Sequence, residues 1–271
     1  MRGFLVALMI ATPALMLPDV TADTTQIILL VALLAAFLVF IEYNSNFPSI
    51  VEFRNAPPLN RLRFCGFFVA VFLLTVICAG RTEPTLLTGA LTSVARLMGN
   101  LLDFPFSPVR LVILAMPVDT PETTLQLVRA AAGLSYLLAV VTVAIFVVLV
   151  RMFGWPSSRN GAFNVWVNLP LFDPTAGGDA LARLKRDARI NMVLGFLLPF
   201  LLPAVAKLAA VVIGSITLQE PQTLIWTMTL WAFLPASLMM RGIAMSKIAE
   251  MIEEKRRRSY AREAENDYQV A

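Results

Sequence analysis

Apolar residues fall along this chain in long blocks, not in short alternations. Gln26–Ile41, Phe64–Gly80, Leu127–Phe153, Ile190–Ile216 and Gln222–Met240 run mostly through Leu, Val, Ile, Ala and Phe and carry few charges. Blocks of about 17–25 such residues suit the roughly 30 Å hydrocarbon layer of a bilayer. A lipid-exposed backbone has no water to bond, so such a block crosses as a helix. The pattern predicts an all-α fold, a polytopic transmembrane helical bundle of five spans. Gly3–Leu17, behind Arg2, is a shorter block. It reads as a sixth span, short or tilted, or as a signal peptide ending in the small residues around Val20-Thr21-Ala22; the span is preferred.

The connections are equally patterned. Residues 44–63 contain Asn-Ser-Asn-Phe-Pro and Ala-Pro-Pro, which break helices, together with Arg54, Arg61 and Arg63. In 81–126, Leu87, Leu91, Val94, Met98 and Leu101 recur at three- and four-residue steps, while Thr88, Thr92, Arg96 and Asn100 take other faces. That spacing predicts an amphipathic helix lying in the membrane interface or capping the spans. Val109–Met116, among Pro105, Pro108, Pro117 and Pro121, is too short to cross and is expected to be half-buried or re-entrant. Trp155 and Trp166 suit the headgroup level. Asp173 to Asp179 reads as a turn and an N-cap. The helix that follows opens with Arg183, Lys185, Arg186 and Arg189 and runs into Ile190–Ile216.

Charge gives these spans a direction. Arg and Lys crowd into 44–63, 154–189 and the tail, whereas 81–126 and 217–221 hold Glu83, Asp103, Asp119, Glu122 and Glu220. Basic connections stay in the cytoplasm. Alternation of sides then places the C-terminus in the cytoplasm of a bacterium, with the spans in its inner membrane. With 58% hydrophobic and 15% charged residues, the 271-residue chain is far more apolar than a soluble domain. We expect one membrane domain over 23–246, preceded by 1–22 and followed by a basic helical tail over 247–271. The net charge of +4 is modest and its cations sit beside apolar blocks. The expected partners are therefore the lipid bilayer, anionic lipids and other membrane subunits, not nucleic acid.

Few residues offer chemistry. There is no histidine, which excludes imidazole-ligated haem and most zinc and copper sites. Cys65 and Cys78, both in one block, would lie about 20 Å apart on a helix and cannot bridge each other; core packing is expected. No span pairs two carboxylates, and no nucleophile elbow or phosphate loop occurs. Gly177-Gly178-Asp179 lacks the rest of a phosphate motif, and its Asp repels anions. Neither a catalytic site nor a bound cofactor or metal is expected.

Three groups of candidates remain. Lys207 lies inside its span, beside Pro199 and Pro203, which free helical carbonyls. These residues would line the path if the protein were a small-solute transporter or channel; a static kink and a snorkelling lysine are the blander reading. Lys255, Arg256, Arg257 and Arg258 form a basic run for anionic lipid, weakened by nearby Glu250, Glu253 and Glu254. Phe47, Ile50, Val51 and Phe53 are apolar residues in a cytoplasmic connection, placed there either to bind a partner or to pack on the ends of their own spans. The preferred expectation is an accessory, scaffold or assembly subunit of a larger membrane complex.

Overall fold

The computed structural model describes residues 1–270 except 19, 153–154, 157–163, 173–176, 178 and 214–217. Among the described residues the secondary structure is all helical: α1 (Arg2–Met16), α2 (Ala22–Asn44), α3 (Leu59–Ala79), α4 (Leu86–Leu102), α5 (Pro108–Ala115), α6 (Glu122–Met152), α7 (Val165–Asn168), α8 (Ala180–Ile213) and α9 (Pro221–Val270). Five helices are long and apolar enough to cross a membrane, over Ala22–Asn44, Leu59–Ala79, Glu122–Met152, Ala180–Ala210 and Pro221–Arg262. Composition thus marks a multi-pass membrane protein. The turn expected over 173–178 lies largely outside the described residues, as do the side chain of Trp166 and the end of the Ile190–Ile216 block.

The interior is built by α3, α6 and α9. Phe67 of α3 meets Phe233 of α9 edge to face at 5.6 Å, and Tyr136 of α6 lies 5.8 Å from Trp231 of α9. Buried hydroxyls here bond their own helices: Thr75, Thr142 and Thr229 each donate to the carbonyl four residues earlier at 2.7 Å. The hydroxyl proton of each of these three is thus taken up within its own helix. Antiparallel to α9 runs α8, in backbone contact at two levels. A Cβ on Gly195 would stand 2.7 Å from Pro235 O, and one on Gly242 would stand 2.7 Å from Ala188 O. Glycine is what lets the two helices approach this closely.

The first two helices lie at the edge. Arg2 stacks over Tyr43 at 4.0 Å, so α1 runs antiparallel to α2. Among the described residues α2 packs against no helix other than α1, and within α2 only Ala32 is buried. On the other flank α4 packs on α6. Its inward face is the small pair Ala95 and Gly99, while Leu87, Val94, Leu97 and Leu101 point outward. The expected apolar stripe is therefore split, because close contact with α6 requires small residues.

Two hydrophobic cores are stacked along the bundle. One lies among α3, α6 and α9 and takes in α4 and α5 through Ala95, Val109 and Val112. The second fills the Arg-rich end: Phe53, Leu59, Phe146, Trp155, Leu169, Phe172, Leu184, Met240, Met245 and Ile248 are all buried there. Phe53 and Ala56 from one connection, and Trp155, Leu169 and Phe172 from another, help to build this second core. Of the two cysteines Cys78 is buried and Cys65 is exposed, so core packing holds for one only.

Candidate functional site

The most organised polar region is the elbow over 45–58, between α2 and α3. Three successive amides, of Ser49, Ile50 and Val51, donate to Glu42 Oε2 at 3.0–3.1 Å. Arg54 spans the bend, donating to the carbonyls of Glu42 at 2.8 Å and Ser45 at 2.6 Å. The carboxylate and the guanidinium replace the helical bonds that Pro48 and its neighbours cannot make.

Trp155 and Asn168 fasten the elbow from the other side. Phe53 N donates to Asn168 O at 2.6 Å, and Asn55 N donates to Asn168 Oδ1 at 2.9 Å. The Trp155 indole N–H donates to Pro57 O at 3.0 Å. Its ring sits between Phe53 at 5.9 Å and Phe146 at 5.6 Å. Phe53 holds a left-handed φ of 53°, a strained backbone for a bulky side chain that this packing maintains.

An ion pair locks the elbow to α9. Arg241 donates to both oxygens of Glu52, through Nε at 2.5 Å and Nη2 at 2.8 Å. Glu52 is buried and Arg241 is 23% exposed. Asn60 Nδ2 donates to Glu52 O at 2.7 Å, and Asn60 Oδ1 accepts from Arg63 at 2.9 Å. Two parallel bonds fix the orientation of the guanidinium as well as its position. Neither Glu52 nor Arg241 stands out in the pattern of apolar blocks and charged connections. The signal was there: Glu52 is the lone carboxylate between Glu42 and Glu83, among Arg54, Arg61 and Arg63.

The four apolar candidates of this connection divide. Phe53 is 2% exposed, inside the second core, and Val51 is half-buried. Phe47 and Ile50 are 83% and 69% exposed. The elbow is thus pinned at its base and presents two large apolar side chains at its tip.

The other candidates lie elsewhere. The exposed Lys207 donates from Nζ to Met116 O at 3.1 Å, on the residue that ends α5. A cation at a helix C-terminus meets the negative end of its dipole. Pro203 lacks the amide that would bond the Pro199 carbonyl, and the Trp231 indole N–H donates to that carbonyl at 3.1 Å. The kink in α8 is therefore tied to α9 and not left open. In the basic run, Arg256 pairs with Asp179 at 3.2 Å and Arg258 pairs with Glu254. Lys255 and Arg257 are exposed and have no ion-pair partner among the described residues. Lys255 comes 14 residues after Arg241, about 21 Å farther along the helix.

Asp179 caps α8 as its sequence suggested. Its Oδ1 accepts from Leu181 N at 3.1 Å. That backbone bond, followed by Arg256, holds its carboxyl below the usual aspartate range. Among the described residues no group of three metal-binding side chains converges. Comparison with known protein families, characterised proteins and solved structures finds no match.

Proposed function

We propose that this chain is a non-enzymatic, multi-pass subunit of a bacterial inner membrane, with its tail in the cytoplasm. It would serve a larger membrane complex as an accessory, scaffold or assembly component. The observation that carries this reading is the elbow: a tightly fastened base with Phe47 and Ile50 held out at its tip. They stay largely exposed among the described residues, and rigid presentation lowers the ordering cost of binding. The exposure of most of α2, an apolar helix, supplies a second surface suited to another subunit or to lipid. Positive charge on the elbow and on the α8 start supports a cytoplasmic placement of this end. There, Lys255 and Arg257 would meet anionic headgroups wherever α9 reaches the leaflet. The transporter reading draws less support, because Lys207 is occupied by a helix-end carbonyl at the surface of the bundle.

The test is co-purification from mildly solubilised membranes. The wild type should bring down a stoichiometric membrane partner, and Phe47→Ser with Ile50→Ser should release it while the bundle stays folded. A monomer in every mild detergent would count against the proposal. Reporter fusions at the C-terminus and within 81–126 should report opposite sides of the membrane.

A further inference from the structure

At the end of the bundle away from the elbow, α4 and α6 touch through Gly99 and Gly133. A Cβ on Gly133 would lie 2.5 Å from Gly99 Cα. Beside this contact the two helices flank an open groove of about 210 Å³, lined by Arg96 and Asn100 of α4 and by Gln126, Arg129 and Ala130 of α6. Four of these five side chains end in N–H donors.

The nearby acids do not neutralise the groove. Asp103 is engaged by Arg110 Nε at 2.8 Å and by Arg129 Nε at 2.7 Å. Glu122 accepts from Gln126 Nε2 at 3.3 Å. Arg96 is exposed and has neither an ion pair nor a hydrogen bond among the described residues. Three guanidinium groups thus stand against two carboxylates. The surroundings on the outward side are apolar: Val94, Leu97 and Leu101 are exposed along the same helix as Arg96.

We propose that this groove binds the phosphate of an anionic lipid headgroup. Arg96 and Arg129 clasp the phosphate oxygens, Asn100 and Gln126 donate from the walls, and the acyl chains lie along Leu97 and Leu101. A guanidinium fork matches phosphate geometry, which a lone ammonium does not. The adjoining apolar face favours a lipid over a free anion, since inorganic phosphate gains nothing from it. This site does not depend on the accessory-subunit reading.

The test uses the full chain in a neutral detergent, titrated separately with dioleoyl phosphatidylglycerol, dioleoyl phosphatidylcholine and inorganic phosphate. Native mass spectrometry counts bound lipid, and thermal unfolding reports stabilisation. Phosphatidylglycerol should bind and raise the Tm more than phosphatidylcholine does, and inorganic phosphate should have little effect. Arg96→Gln should weaken phosphatidylglycerol binding about fivefold, the effect of one cation at a headgroup. Its lipid-free Tm should match the wild type, because Arg96 holds nothing else. Asn100→Ala, on the same wall, should weaken binding in the same direction, and Arg96→Lys should fall in between. Lys255→Gln with Arg257→Gln removes the separate contacts of the tail with headgroups and should leave in place the part of the response that depends on Arg96. Unchanged binding by both Arg96→Gln and Asn100→Ala would overturn the site. So would loss of the whole response in the tail variant, which would move the lipid to α9. An equal Tm rise with inorganic phosphate alone would reduce the occupant to a free anion.

Discussion

At the scale of single residues, this bundle supplies partners for many of its own buried polar atoms, although the buried Ser135 Oγ has none among the described residues. Threonine hydroxyls turn back on their helices, and Trp231 takes the carbonyl that Pro203 strands. Trp231→Phe keeps most of the ring packing but removes the donor. It should lower stability by about 1–2 kcal/mol in reversible unfolding from mixed micelles. A variant as stable as the wild type would mean that the carbonyl finds another donor. The freed carbonyls were legible from Pro199 and Pro203 alone. Their recipient was not, because an indole 32 residues away leaves no local pattern.

At the scale of elements, composition located the apolar blocks and polarity misplaced their ends. Arg61 and Arg63 lie inside α3, which starts at Leu59, although their charge had assigned them to the connection. A helix continues for as long as its backbone bonds do, and long cationic side chains reach outward from it. α4 was legible as amphipathic, but the face it turns inward was set by Gly133 of another helix. The elbow is the element least foreseen, since its order comes from Asn168, Trp155 and Arg241. Glu52→Gln leaves Arg241 without its counter-charge and should cost up to about 3 kcal/mol, the low end for a buried pair because Arg241 is partly exposed. Adding Arg241→Met should recover part of that loss. A double variant whose loss equals the sum of the two single losses would show that the pair is uncoupled.

At the scale of the whole molecule, two cores lie end to end, and the second is assembled from connections as much as from spans. Beyond it α8 and α9 continue side by side, joined by Lys185–Glu253 at 2.7 Å and by Asp179–Arg256. The Asp179 carboxyl is held below its usual range, so its ionised form favours the folded state. That contribution is complete above the ordinary aspartate value, about pH 4, and fades as pH falls through the depressed one. The protection of the 181–185 amides, taken relative to their intrinsic exchange rates, should therefore fall in acid. Asp179→Asn, which can still cap the helix, should flatten the acid response. Glu52 and Arg241 stand 189 residues apart in sequence. A ribosome making this chain releases the carboxylate long before its guanidinium exists. The bond between these two is thus among the last that biogenesis can add to the elbow, and a nascent chain halted before residue 241 would hold that acid without its bidentate partner.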